Sequence, residues 1–231
     1  RDYVLRPIEG TAREYEYRRL SVLGDIVGGR LQAVCVPDEG LTQYTTPRAE
    51  FCNNTRTLHP GDTVPRTELT ALLYNAGYAR RAQVDGPGQF SIRGDIVDLY
   101  APDMKLPVRM EFWGDEIDTM HTFDLATQRR EDPIEKIYVS PAREVLFGSP
   151  AEAAELLRAF IKKFRGKKRT ALEACLATEL AQLDGGALPV NMDKYLAVRY
   201  PQPATLLDYF DDPLLVLEEP ASLREAERAT T

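Results

Sequence analysis

Apolar and polar positions alternate with a period of two along four segments in the middle of the chain, which predicts strands. Glycine and proline separate these segments, which are Gln89 to Arg93, Val97 to Tyr100, Val108 to Phe112 and Ile117 to Phe123. A short helix from about Thr67 to Asn75 precedes them and ends at Gly77. We therefore expect a compact, mostly antiparallel β unit with one helix.

The segment before this unit has the pattern of an α/β domain. Thr11 and Glu14 form a capping-box pair, and the helix that they begin runs to Gly28-Gly29. Leu31 to Val36 is then predicted as a buried strand, because five of its six residues are apolar and Pro37 follows it.

The pattern of helices and apolar strands resumes after the β unit. Ile137 to Val139 is a predicted short strand, and Ser149-Pro150 begins a helix with one apolar face. A second helix is expected from Thr170 to Leu183, and Leu214 to Glu219 is predicted as a buried strand. The prediction is an α/β domain over residues 1–56 and 129–231, with an inserted β-rich α+β domain at residues 57–128.

Composition and charge limit the classes of function. The chain has 231 residues, of which 43% are hydrophobic, and a formal net charge of −7, so nucleic acid could bind only at a local basic patch. Residues 61–127 hold six Lys or Arg against eleven Asp or Glu, a net charge of −5. The three cysteines are far apart in sequence and are expected to be free thiols. Neither a membrane span nor a signal peptide is recognisable.

No residue pattern supports catalysis or metal binding. His59 and His121 each lack a motif partner, and we interpret both as structural. There is no phosphate-binding loop of the G-x-x-x-x-G-K-[ST] type. Glu218-Glu219 resembles the acidic strand end of P-loop ATPases, and without that loop we interpret it as vestigial. We expect no cofactor in this chain.

Six cations occupy eight positions between the two predicted C-terminal helices. In one interpretation these cations compensate the negative end of a helix dipole. In the other they contact phosphate groups, including those of DNA. No aromatic residue is expected nearby to stack on bases. The six cations are Lys162, Lys163, Arg165, Lys167, Lys168 and Arg169.

Strand alternation also proposes a polar face on the β unit. If Phe90, Val108 and Met110 point inward, then Arg93, Arg109 and Trp113 share the outward face, with Ser91 beside them. A bulge or bend is expected at Gly94, where the alternation weakens. Arginine and tryptophan together are typical of a protein interface, and the alternative is a structural Arg paired with Glu111 or Asp95.

The stretch GQFSIRGDIVDLYAPDMKLPVRMEFWGDEIDTMHTFDLATQR, residues 88–129, closely resembles the UvrA-binding domain shared by the excision-repair helicase UvrB and the coupling factor Mfd. Residues 12–23 and 200–219 resemble the same family. Asn75-Ala76-Gly77-Tyr78 followed by Arg80 is similar to the Mfd type, so the chain resembles the N-terminal region of a bacterial transcription-repair coupling factor.

The resemblance implies a UvrB-like, degenerate P-loop-type α/β domain and docking on UvrA through Arg93, Arg109 and Trp113. Position 113 is commonly Phe in this family, and Ser91 stands where UvrB often has another Arg. The parent protein would be a cytoplasmic bacterial, ATP- and magnesium-dependent translocase that acts on RNA polymerase and double-stranded DNA. This chain itself is expected to be monomeric and non-catalytic. A fragment of a UvrB-type ATPase and a direct DNA-binding module remain as alternatives.

Overall fold

A computed structural model describes residues 12–189 and 191–221 of the chain as a mixed α/β structure with two sheets. The described helices are α1 Ala12–Val27, α2 Asp38–Thr42, α3 Arg48–Asn53, α4 Arg66–Asn75, α5 Pro150–Lys162, α6 Gly166–Cys175, α7 Ala177–Asp184 and α8 Leu196–Arg199. The strands are β1 Arg56–Leu58, β2 Ala79–Arg80, β3 Gln89–Arg93, β4 Ile96–Tyr100, β5 Val108–Trp113, β6 Glu116–Phe123, β7 Arg130–Pro133 and β8 Ile137–Val139. None of these helices is long and apolar enough to cross a membrane.

The larger sheet has six strands in the order β2-β3-β4-β5-β6-β7, and only the β2–β3 pair is parallel. This confirms the predicted strands and the mostly antiparallel unit. Leu69 and Leu73 of α4 belong to the same buried cluster as Phe90 and Met110 of the sheet. Helix α4 therefore covers one sheet face, and the opposite face carries the polar side chains.

The smaller sheet pairs β1 with β8 in antiparallel register, and β8 confirms the predicted short strand. Leu58, Ile137 and Val139 are buried in the same cluster as the larger sheet. Residues on both sides of position 128 therefore share one core. The domain limits at residues 56/57 and 128/129 stay a prediction.

The predicted end of the first helix and the predicted start of α5 are confirmed, whereas one predicted helix is divided into two. Helix α1 ends before Gly28-Gly29, although Thr11 of its predicted capping box lies outside the described residues. Ser149 caps α5 by accepting a hydrogen bond from the Glu152 amide at 3.1 Å. The predicted helix from Thr170 to Leu183 is two helices, α6 and α7, with the break at buried Leu176.

The predicted strands at Leu31–Val36 and Leu214–Glu219 are wrong. Both segments are irregular, and their apolar side chains are largely exposed, with Leu214 at 91%. A strand needs a neighbouring strand to pair its amide and carbonyl groups, and no described strand pairs with either segment. Glu218-Glu219 is therefore not a strand end. Apolar content within a segment favours burial, but it does not determine whether a neighbouring strand is available for pairing.

The predicted irregularity at Gly94 is a hairpin turn. Gly94 has a φ of 61°, and Arg93 pairs with Ile96 across the turn, so the β3–β4 register is regular. Register shifts lie instead in β5, between Glu111 and Phe112, and in β6, between His121 and Phe123.

Candidate functional site

The polar face of the larger sheet is built by the side chains that alternate with its core. Phe90, Val108 and Met110 are buried on the core side, as the alternation predicted. Across the sheet, Asp98 is the register partner of both Ser91 on β3 and Arg109 on β5. This cross-strand row, together with Arg93, forms a polar cluster that we call the arginine–aspartate cluster (Ser91, Arg93, Asp98 and Arg109).

Asp98 is the centre of this cluster and is completely buried. Its Oδ1 accepts a hydrogen bond from Nε of Arg109 at 2.7 Å, and its Oδ2 accepts one from Nη2 of Arg109 at 3.0 Å. The same Oδ2 accepts a hydrogen bond from Nη2 of Arg93 at 2.6 Å. A buried carboxylate is costly unless it is paired, so two arginines and one aspartate form a satisfied group with a net charge of +1.

The Arg109 guanidinium has further contacts besides those with Asp98. Its Nη1 donates to the Gln128 carbonyl oxygen at 3.2 Å, and the Phe123 ring lies 4.6 Å from its guanidinium carbon. Gln128 has a φ of 59°, a left-handed conformation that is uncommon for a residue other than glycine. Only 11% of the Arg109 side chain is exposed. The turn at residues 124–129 therefore covers part of the face that alternation predicted to be open.

Arg93 and Trp113 are the accessible members of the predicted trio. The Arg93 side chain is 46% exposed, and Trp113 is 83% exposed at the end of β5. The turns at Gly94 and Gly114 lie at the same end of the sheet, because the β4–β5 hairpin, which turns at the other end, lies between them. The structure thus joins Arg93 and Arg109 through Asp98, whereas the Trp113 indole makes no hydrogen bond or ring contact with a described residue.

Comparison with known proteins gives this surface a context. Residues 57–145, which contain the arginine–aspartate cluster and Trp113, match the family model described as the UvrB interaction domain. The transcription-repair-coupling factor of Bacillus subtilis is 29% identical over 222 residues, which are 93% of this chain and 19% of that protein. The one of Staphylococcus haemolyticus is 31% identical over 85% of this chain and 17% of that protein.

The chain is a homologue of the N-terminal region of transcription-repair-coupling factors. It spans about a fifth of the length of the curated relatives that it matches. The predicted resemblance is thereby confirmed over nearly the whole chain.

The sequence interpretation missed Asp98 and Gln128 in this homologue. Glu111 and Asp95, which it offered as structural partners for an arginine, form ion pairs with Arg130 and Arg66 instead. Counting strand register from the Gly94 turn would have placed Asp98 opposite Ser91, but its pairing with Arg109 depends on the longer β4–β5 connection. No sequence signal marks Gln128, because its contact depends on the path of a loop.

The basic segment, residues 162–169, lies where α5 meets α6. Lys162 is in the last turn of α5, but Lys167 and Lys168 are in the first turn of α6, where the helix dipole disfavours cations. Complementing a helix C-terminus therefore explains only part of the segment. The expectation that this segment lacks an aromatic residue is wrong, because Phe164 lies inside it, and its ring packs edge-on against Phe160 at 5.2 Å. The six cations are exposed, and only Arg169 has a described carboxylate partner, Glu173 at 2.8 Å.

The remaining candidate residues are the two histidines and the three cysteines. His59 Nδ1 lies 3.5 Å from Asp62, and His121 Nδ1 is buried without a hydrogen-bond partner. Cys35, Cys52 and Cys175 are not joined by a disulfide bond. Among residues 12–189 and 191–221, no group of three or more His, Cys, Asp or Glu could hold a metal ion.

Proposed function

We propose that this chain recruits UvrA to sites of transcription-coupled nucleotide excision repair by docking through Arg93, Arg109 and Trp113. The observation that carries the proposal is an 83% exposed indole on the same sheet as a half-exposed arginine, inside the region that matches the UvrB interaction domain. Exposed Trp and Arg are over-represented among the residues that dominate binding energy at interfaces.

The recognition would combine one charge and one apolar contact. Arg93 would pair with a carboxylate of UvrA, and Trp113 would fill an apolar depression beside it. Truncation of either side chain at the centre of such an interface costs about 2–4 kcal/mol of binding free energy.

The first test is calorimetry of this chain with purified UvrA, beside an Arg93→Ala/Arg109→Ala variant. We expect the wild-type chain to bind and the double variant to lose binding. Because the double variant leaves buried Asp98 without a cation, circular dichroism must show that it is folded; the Arg93→Ala single variant keeps Arg109 on Asp98 and should lose binding without unfolding. Lys105→Ala is the matched control, because Lys105 is exposed in the β4–β5 connection at the opposite end of the sheet from the Gly94 turn. Equal losses from Lys105→Ala and from Arg93→Ala would contradict the proposed surface.

We further propose that the parent protein is an ATP-driven translocase that acts on double-stranded DNA and stalled RNA polymerase. The similarity to transcription-repair-coupling factors supports a coupling factor over a UvrB-type damage-recognition ATPase. The finer fold assignment, a P-loop-type domain that lacks nucleotide binding, belongs to the same proposal. Measurable ATP binding by the N-terminal region of the parent protein, in the absence of its motor domains, would favour the UvrB-type alternative.

A second candidate function is phosphate contact by the basic segment, including contact with DNA. Its support is that Lys167 and Lys168 are exposed, lack described acidic partners and oppose the dipole of α6, so folding does not account for them. We expect Lys167→Gln/Lys168→Gln to weaken binding to a DNA duplex and to reduce its salt dependence. Arg80→Gln/Arg81→Gln, another exposed neighbouring pair, is the control. Equal effects of the two pairs would indicate unspecific attraction.

A further inference from the structure

The two arginines of the cluster have different capacities to contact a partner. Arg109 uses Nε and Nη2 on Asp98 and Nη1 on the Gln128 carbonyl, so all three of its nitrogens are engaged within the chain. Arg93 uses only Nη2 on Asp98 among its described contacts and keeps its remaining donors for another molecule. Both oxygens of Asp98 are occupied and buried, so Asp98 cannot contact a partner.

We infer that Asp98 is a positioning residue, and that Arg109 acts through it rather than by direct contact. Arg109 fixes the carboxylate from β5, and the carboxylate fixes the guanidinium of Arg93 at the surface. This inference rests on the proposed docking on UvrA. It separates the trio into a contact pair, Arg93 and Trp113, and a supporting pair, Asp98 and Arg109.

Positioning and simple charge attraction make opposite predictions for Asp98→Asn. The substitution raises the charge of the cluster from +1 to +2. If Coulomb attraction to an acidic partner dominates, binding should tighten. If positioning dominates, binding should weaken by about 10-fold or more, because an arginine that is no longer held must lose its rotamer freedom on binding.

The first measurement uses the free chain and does not depend on UvrA. We expect the Nε proton of Arg109 to exchange slowly with water in nuclear magnetic resonance spectra, because that proton is donated to a buried carboxylate. Asp98→Asn should remove this protection while the amide spectrum stays folded. Rapid exchange of the Arg109 Nε proton in the wild-type chain would overturn the inference.

The second measurement is the affinity for UvrA of Asp98→Asn, Arg93→Ala and the double variant. Asp95→Asn is the matched control, since it removes an exposed carboxylate from the turn of the same hairpin. Asp98→Asn should weaken binding alone and should have almost no further effect once Arg93 is alanine. Tighter binding by Asp98→Asn, or additive losses in the double variant, would overturn the positioning role.

Arg109→Lys keeps the inference testable if Asp98→Asn fails to fold. Lysine preserves the charge but cannot bind both carboxylate oxygens in the fork geometry of arginine. We expect Arg109→Lys to weaken binding about as much as Asp98→Asn, and wild-type affinity would count against the inference. If the wild-type chain does not bind UvrA, the docking proposal fails, and the positioning role in docking fails with it. A protected Arg109 Nε proton would in that case show only that the cluster forms.

Discussion

At the residue scale, exposure separates side chains that look equivalent in the sequence. Arg93 and Arg109 both lie on the outward face, but their exposed fractions are 46% and 11%. The difference arises because the turn at residues 124–129 closes over β5 and leaves the end of β3 open. The more exposed arginine is therefore the better candidate for a contact.

Trp113→Ala should separate binding from stability. Trp113 is 83% exposed, so its truncation should change the free energy of unfolding by less than about 0.5 kcal/mol. Binding to UvrA should nevertheless lose about 2 kcal/mol or more. Calorimetry beside thermal unfolding measures both, and Trp113→Phe should keep most of the affinity. A large loss of stability in Trp113→Ala would show that the indole serves the fold.

Glu16 should make stability depend on pH. Burial raises the pKa of this carboxyl above its usual value of 4.5, even though its Oε1 accepts a hydrogen bond from the Glu144 amide at 2.9 Å. Between 4.5 and the raised pKa, the folded chain binds more protons than the unfolded chain, so stability falls as pH rises through that window.

The test for this residue is Glu16→Gln, which retains an acceptor oxygen but carries no charge. We expect its free energy of unfolding to stay flatter across the window and to equal or exceed that of the wild-type chain at pH 7. Urea unfolding at several pH values measures this. A Glu16→Gln chain that is less stable at pH 7 would mean that attraction to Arg143 outweighs desolvation.

At the element scale, local sequence is decisive where hydrogen bonds close within a few residues. Ser149 and Glu152 satisfy the start of α5, because Ser149 accepts from the Glu152 amide and the Glu152 carboxylate accepts from the Gly148 amide at 2.7 Å. Strands β3 to β6 could also be predicted, because each has a recognisable pattern and pairs with the strand that follows it in sequence.

Ser149→Ala should lower the free energy of unfolding by about 1 kcal/mol, because it leaves an amide at the start of α5 without its capping oxygen. Ser149→Asp is the control and should retain most of the stability, since aspartate also caps a helix. Chemical denaturation of the three chains measures the difference. Equal losses in both variants would show that the site depends on the serine's packing and not on its cap.

At the scale of the whole molecule, Leu58 connects the two sheets. It lies on β1 of the smaller sheet but is fully buried in the cluster shared with the larger sheet. Leu58→Ala should lower the free energy of unfolding by about 2–5 kcal/mol in one cooperative transition. Leu214→Ala, at a 91% exposed leucine, should have almost no effect. Two separate transitions in the Leu58 variant would indicate that the sheets unfold independently.

The sequence by itself determined the elements whose signals are local. These are the four central strands, the helix before them, the cap of α5 and the face that carries Arg93 and Arg109. It also determined the relationship to coupling factors, because a long motif of specific residues is sufficient for that. The strands, the helix and the cap each depend on residues within one element or one turn.

Tertiary structure alone decided which of the outward-facing arginines is buried by contacts within the chain and which remains exposed. Asp98 joins two arginines from different strands, and the loop at Gln128 buries one of them. Leu31–Val36 and Leu214–Glu219 have the apolar content of strands but no described pairing partner. The physical reason is the same in both cases: strand pairing and the burial of a charge depend on groups that are distant in sequence, so periodicity within one segment cannot specify them.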